Sequence, residues 1–320
     1  MTMLPCTRRS DVLHRTCLLS LVSCALGILI HAAPVEAQDL YVSHVNGSTI
    51  DRITPGGVVT TFATGLSGPA GLVFDSSGNL YVANGNNNVI SKITPVGVAT
   101  TFATGFNGLT GLAFDATGNL YAGNFNNSTI SKITTGGVVS TFATGVNSPF
   151  GLAFDATGNL YAADYFDSSI NQVTPGGTVS VFAVGLDRPV GLAFDTNGDL
   201  FASSDPGNGN TINKITPGGV VSTFATGVDN SYGLAFNANG DLYAASINAN
   251  SISRITPSGN VSTFVTGIDG PSYLAFGPVA TTPEPGTYAL LGACIVSGIG
   301  FARRRSRRND KTQSAGSDNV

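Results

Sequence analysis

The sequence predicts an all-β chain, a six-bladed β-propeller with four strands per blade, its ring closed by pairing the N- and C-terminal strands of the repeat region. Three observations predict it. A short phrase recurs six times, as GLVFD at Gly71, GLAFD at Gly111, Gly151 and Gly191, GLAFN at Gly233 and YLAFG at Tyr273, with spacings of 40, 40, 40, 42 and 40 residues. Each unit holds four short apolar phrases divided by turn signals, and lacks the 3.6-residue pattern of a helical repeat of similar length. The repeat region opens on its second phrase at Asp39 and stops just after its first at Phe276, so one blade is split between the two ends.

Each phrase predicts one strand. The first alternates small and large residues (Gly111-Leu112-Ala113-Phe114) and suits the innermost strand, where blades crowd the central axis. DATGN, with Gly118 before Asn119, reads as the hairpin turn into the second phrase, NLYAG at Asn119. The third phrase is the I-x-x-[IV]-T series, as in residues 130–134. The TPGG type of turn, as in residues 216–219, leads to the fourth, VVSTFATG in residues 138–145. Pairing the split blade across the chain ends removes an otherwise open sheet edge.

Composition agrees. The chain has 320 residues, 41 Gly, no Trp and only 11% charged residues, with 42% hydrophobic residues to fill a core. Residues 38–282 contain 6 Lys and Arg and 14 Asp, a formal charge of −8, which argues against nucleic acid as a partner. Cys6, Cys17, Cys24 and Cys294 all lie outside this body, which therefore uses neither disulfides nor thiol chemistry.

Asp75, Asp115, Asp155 and Asp195 recur at one place per unit. Such a ladder suggests calcium, but the residues open DxxGN-type turns, where a carboxylate accepts backbone N–H bonds, and Asn237 takes the same place in the fifth unit. The stretch 195–199 (DTNGD) comes nearest a calcium loop but lacks its acidic closing ligand. No cofactor is expected, and calcium is not favoured. The variable segments are the loop after each second strand (84–88, 124–128, 164–169, 204–211, 246–251) and the connection into each first strand, which carries Phe150, Arg188 and Tyr232. Both sets are expected on one face. Asp164, Tyr165, Phe166, Asp167, Arg188 and Tyr232 are the candidate ligand-binding residues, because adjacent aromatics in an exposed loop, set among polar groups, suit a sugar or a peptide surface.

The stretch GLAFDATGNLYAADYFDSSI (151–170) resembles the NHL repeat and the gluconolactonase/SMP-30 and streptogramin-lyase-like six-bladed propellers, over residues 39–276. For the enzymes among them the resemblance implies a metal held by Glu, Asp and Asn near the axis, or a catalytic His. Glu36 and Glu284 both lie outside the body, and His44, its one histidine, is expected in an exposed loop. No catalytic residue is assigned. A non-catalytic role, binding or scaffolding at the cell surface or in matrix with polysaccharide or matrix protein, is the expectation; a lactonase- or lyase-like enzyme is the alternative.

The ends carry an address. Residues 1–37 read as a signal peptide, with Arg8, Arg9 and Arg15 before an apolar run (17–30) and Val35-Glu36-Ala37 before Gln38. A lipoprotein box at residues 21–24 and a twin-arginine signal at Arg8-Arg9 are weaker readings: most of the apolar run follows Cys24, and Asp11 stands where an apolar residue belongs. After the propeller (38–278) come a linker (279–287), an apolar helix (288–302) and a basic cytoplasmic tail (303–320). Fifteen apolar residues fall short of the ~20 that span a bilayer, so a transient membrane association is expected. Pro283-Glu284-Pro285, the apolar run and Arg303, Arg304 and Arg305 together resemble the PEP-CTERM sorting signal of Gram-negative bacteria. That resemblance implies an exosortase-type processing protease, cleavage near the PEP motif, and release or surface attachment; a retained anchor is the alternative.

Overall fold

The computed structural model describes residues 38–205 and 210–278. The signal peptide, linker, apolar helix and basic tail read above lie outside them. The described residues form 24 strands and one 3-10 turn, Phe125–Asn127. The strands make six antiparallel sheets of four. Five blades follow one another along the chain, at residues 69–104, 109–144, 149–184, 189–226 and 231–266. The sixth is the split blade: Pro271–Phe276 is its inner strand, and Leu40–His44, Ile50–Ile53 and Val59–Ala63 complete it. Its register sets Leu40 opposite Phe276, Tyr41 opposite Ala275 and Val42 opposite Leu274.

Inner strands of successive blades pack on one another, and that of the closing blade packs on that of the first, so the ring is continuous. Glycine is needed where they meet. A Cβ on Gly111, Gly151 or Gly191 would run into the backbone carbonyl of Phe150, Val190 or Tyr232 in the next blade. Leu80, Ile90, Ile93 and their repeats are fully buried. They sort into six clusters, each shared between neighbouring blades, as Ile90 and Leu112 share one. An aromatic triad recurs at each junction: Tyr81 lies edge-on between Phe102 of its own blade (4.9 Å) and Phe114 of the next (5.1 Å). Tyr41 does the same with Phe62 and Phe74, and Tyr243 with Phe264 and Phe276, so the seam between chain ends is packed like every other junction. Each such pair adds about 0.5–1.5 kcal/mol beyond its area.

The ring has two unlike faces. One carries the DxxGN and TPxG turns and is called the turn face. There Asp115 Oδ1 accepts the amides of Thr117 and Asn119 at 2.9 Å each, and Asp75, Asp155 and Asp195 repeat the arrangement. Burial raises the Asp115 carboxyl, but the hydrogen bonds from Asn119 and Thr117 outweigh it and bring the pKa to about 2. Asn237 Oδ1 accepts the amides of Asn239 and Asp241 in the same way. Asp195 serves its turn too, and Asp199 pairs with Lys214 at 2.7 Å. Among the described residues no three His, Cys, Asp or Glu converge as a metal site would require.

Candidate ligand-binding site on the loop face

The opposite, loop face is built from the two variable sets of segments, which hydrogen bonds hold side by side: Gly85 N donates to Gly68 O (2.9 Å), Phe125 N to Gly108 O (2.8 Å) and Asp205 N to Arg188 O (2.9 Å). In several blades a polar side chain ending the second strand ties the two together from beneath. Asn84 Oδ1 accepts the amide of Ser67 (3.1 Å), Asn124 Oδ1 that of Asn107 (3.2 Å) and Asp164 Oδ2 that of Asn147 (2.9 Å).

This corrects two expectations. Asp164 is not a loop residue open to a ligand. It ends the strand Leu160–Asp164, is 1% exposed, and spends its carboxylate on the Asn147 and Asp167 amides and the Asn171 side chain. Burial pushes its pKa up, against the pull of those hydrogen bonds. His44 holds the equivalent place in the closing blade. It is buried rather than in an exposed loop, with Nδ1 2.6 Å from Asp269 O and Nε2 3.0 Å from Asp51 Oδ2.

The other candidates are brought together. Tyr165 and Phe166 meet edge-on at 5.2 Å, and Phe166 is 61% exposed. Tyr165 Oη donates to Asp205 Oδ2 at 2.6 Å, Arg188 Nη1 reaches the same oxygen at 3.4 Å, and the guanidinium lies over the Tyr165 ring. Asp167, exposed at the rim, accepts from Asn147 Nδ2 at 3.1 Å. Arg188 has a left-handed backbone, φ 42°, where Gly68, Gly108 and Gly270 stand in other blades. For a side-chain-bearing residue such a backbone costs about 1–3 kcal/mol.

Four further residues complete the site: Phe125, Phe150, Asp205 and Tyr273. Phe150 is the hub, 5.8 Å from Phe125 and Tyr165, 5.9 Å from Tyr232 and 6.4 Å from Tyr273. Phe150 and Tyr273 come from blades directly opposite in the ring, and their rings lie parallel, 6° apart, so they meet across the axis. Tyr273 replaces the glycine that the other five inner strands carry, and its ring occupies the centre instead. The repeats held a signal for Phe150: the column before the glycine reads Ala70, Thr110, Phe150, Val190, Tyr232 and Ser272, and its two aromatic members are both in the cluster.

The electrostatics favour neutral phenols. Burial, then the Asp205 charge, raises Tyr232 to about 12. Burial, then the hydrogen bond to Asp205, raises Tyr165; burial, then Tyr232, raises Tyr273 well above the ordinary value. Tyr273 Oη has no hydrogen-bond partner among the described residues. The assembly is a continuous aromatic surface running from an exposed rim to the axis, edged by one carboxylate and one guanidinium. It can stack a flat apolar face and direct hydrogen bonds at its border.

Comparison with known proteins gives the address before the ligand. The PEP-CTERM protein-sorting motif matches residues 281–308. This chain carries a PEP-CTERM sorting signal. Such a signal marks an exported protein processed by an exosortase, a membrane protease. No curated protein matches the chain by sequence. Among solved structures, a streptogramin B lyase is similar at 19% identity, covering 77% of this chain and 89% of its own, with a TM-score of 0.59. A catalytically inactive histidine-to-alanine variant of virginiamycin B lyase from Staphylococcus aureus, with quinupristin, is similar at 19% identity over 76% of this chain and 93% of its own, TM-score 0.59. A chain of a nidogen/laminin complex is similar at 18% identity over 76% of this chain and 99% of its own, TM-score 0.68. At these identities the likeness is one of fold, and the PEP-CTERM signal is attached to a six-bladed propeller of that general type.

Proposed function

We propose that this chain is a non-catalytic binding propeller, sorted by its PEP-CTERM signal to the cell surface or extracellular matrix of a Gram-negative bacterium, where its loop face holds surface polysaccharide or matrix protein. The observation that carries this reading is the run of six aromatic rings from Phe166 to Tyr273, bordered by Asp205 and Arg188. A hydrated ligand such as a sugar needs an apolar platform with a few placed polar groups. A neighbour of the same fold comes from a nidogen/laminin complex, an assembly of two proteins, which suits a scaffolding role. Calcium is not invoked. A binding screen of the purified chain against bacterial exopolysaccharides and matrix proteins tests it: retention on at least one polymer, lost when Tyr165 and Phe166 are changed, is expected, and no retention on any overturns it.

The lyase neighbours favour a second reading, a lactonase- or lyase-like enzyme. Against it, residues 38–278 contain no Glu, and the one His has both ring nitrogens engaged. Turnover of a streptogramin or a simple lactone by the purified chain would establish this second reading. Processing is tested by intact mass from a host with the sorting machinery: the mature form should begin near Gln38 and end near residues 283–285. A form retaining Arg303, Arg304 and Arg305 would mean a permanent anchor.

A further inference from the structure

The two ends of the propeller leave it together. Leu40 pairs with Phe276, Gly277 N donates to Asp39 O at 2.9 Å, and Gln38 Nε2 donates to Gly277 O at 2.8 Å. All of this lies on the turn face. The last strand, Pro271–Phe276, runs from the loop face to the turn face and is the innermost of its blade, so the chain exits near the axis.

Chain length then limits how the ring can stand. The apolar run begins at Tyr288, ten residues past Pro278, a reach of about 35 Å when fully extended. To set the loop face on a bilayer, that segment would have to cross beneath the three outer strands, about 14 Å, and climb the length of a strand and its loop, about 20 Å. That path of about 34 Å takes nearly all of the roughly 35 Å available, so the loop face could meet the bilayer only with the tether fully stretched.

Charge points the same way. Arg52, Lys92, Lys132, Lys214 and Arg254 all sit at the turn-face end of a third strand, each beside an Asp. Among the described residues Arg188 is the one Lys or Arg of the loop face. Seven Asp lie at each end: Asp187, Asp229 and Asp269 in connections, with Asp51, Asp164, Asp167 and Asp205 near them, make up the loop-face set. Five cations against seven carboxylates leave the turn face at −2; one against seven leaves the loop face at −6. An anionic membrane surface repels the second far more than the first.

We propose that on a membrane this chain keeps its turn face to the bilayer and presents the acidic, aromatic loop face away from it. The proposal rests on the reading that a terminal apolar segment enters the membrane. Gln38, the first described residue, lies on the same face.

The test uses the full chain with its four cysteines changed to Ser and one fluorophore-bearing cysteine, at the exposed turn-face Ala116→Cys or the exposed loop-face Asn87→Cys. Each variant is mixed with phosphatidylcholine–phosphatidylglycerol vesicles carrying a nitroxide head-group lipid, and bound protein is recovered by flotation. Loss of fluorescence at position 116, with fluorescence at 87 retained, is the expected result. Flotation with equal loss at both sites, or greater loss at 87, overturns the orientation alone. Absence of flotation overturns the membrane reading and the orientation with it.

Discussion

The turn face and the loop face are made by the same six repeats, yet one is uniform and the other is not. On the turn face an Asp or Asn closes each inner hairpin by accepting two backbone amides, and a Lys, Arg or Gln stands on each third strand. On the loop face the position ending each second strand reads Asn84, Asn124, Asp164, Ser204, Ser246 and His44, and the residue before the inner-strand glycine changes in every blade. The difference teaches where stability and recognition separate. Uniform positions satisfy backbone donors that recur in the five blades with an inner hairpin. Divergent positions have no such shared task, and five of the six blades contribute to one asymmetric surface.

The largest expected effect comes from breaking the ring that supports both faces. Deleting residues 271–278 removes the inner strand of the closing blade, and Tyr273 with it, and exposes the inner edge of Leu40–His44. It should cost about 5 kcal/mol or more and abolish cooperative thermal unfolding. A truncated chain that melts cooperatively at the wild-type temperature would show that the ring does not depend on its seam.

A smaller effect is expected inside the ring. In Gly191→Ala the added methyl meets the Tyr232 carbonyl of the next blade. The cost should be about 1–3 kcal/mol by denaturant titration, because backbone rather than a flexible side chain must yield. It should also weaken the loop-face cluster, since Tyr232 moves with that carbonyl.

The turn face gives a smaller effect with a definite pH signature. Asp115 has a depressed folded pKa of about 2, so its contribution is fully present above the unfolded carboxyl range and is lost as pH falls through that range towards 2. Asp115→Asn should keep the turn, as Asn237 does in the fifth blade, with a stability change at neutral pH of less than about 1 kcal/mol. It should also flatten the decline in melting temperature below pH 4. An unchanged acid limb would mean the carboxylate is not engaged as described. Tyr232 has the opposite sign: with its folded pKa raised to about 12, its contribution is full below the ordinary phenol value near 10 and is lost as pH rises from 10 to 12. Tyr232→Phe should reduce the alkaline decline in that window.

The fold was legible because periodicity carries it: five GLxF phrases and a sixth that reads YLAF, DxxGN and TPxG turns and the split blade predict sheet order, closure and the pairing of the two loop sets on one face. The Asp turns were legible too, since Asx chemistry is local. What escaped was of two kinds. Asp164 and His44 end second strands, and a polar residue there looks like the first residue of a loop until the strand pairing buries it. Phe150 and Tyr273 are 123 residues apart and touch only because blade order sets them across the axis. No single repeat contains that information; its traces are the departure of Tyr273 from its glycine column and the large Phe150 in the column before it.

The central claim is that recognition belongs to the divergent face. It is tested most directly by affinity for whichever polymer the chain retains, measured for Tyr165→Ala/Phe166→Ala and for Thr117→Ala on the turn face. The account predicts a loss of about 1–3 kcal/mol in binding for the loop-face pair, with a stability cost of about 1–3 kcal/mol from the lost Tyr165 packing and its hydrogen bond to Asp205, and unchanged binding for Thr117→Ala. Binding lost with Thr117→Ala and kept with the loop-face pair would put recognition on the uniform face and contradict it.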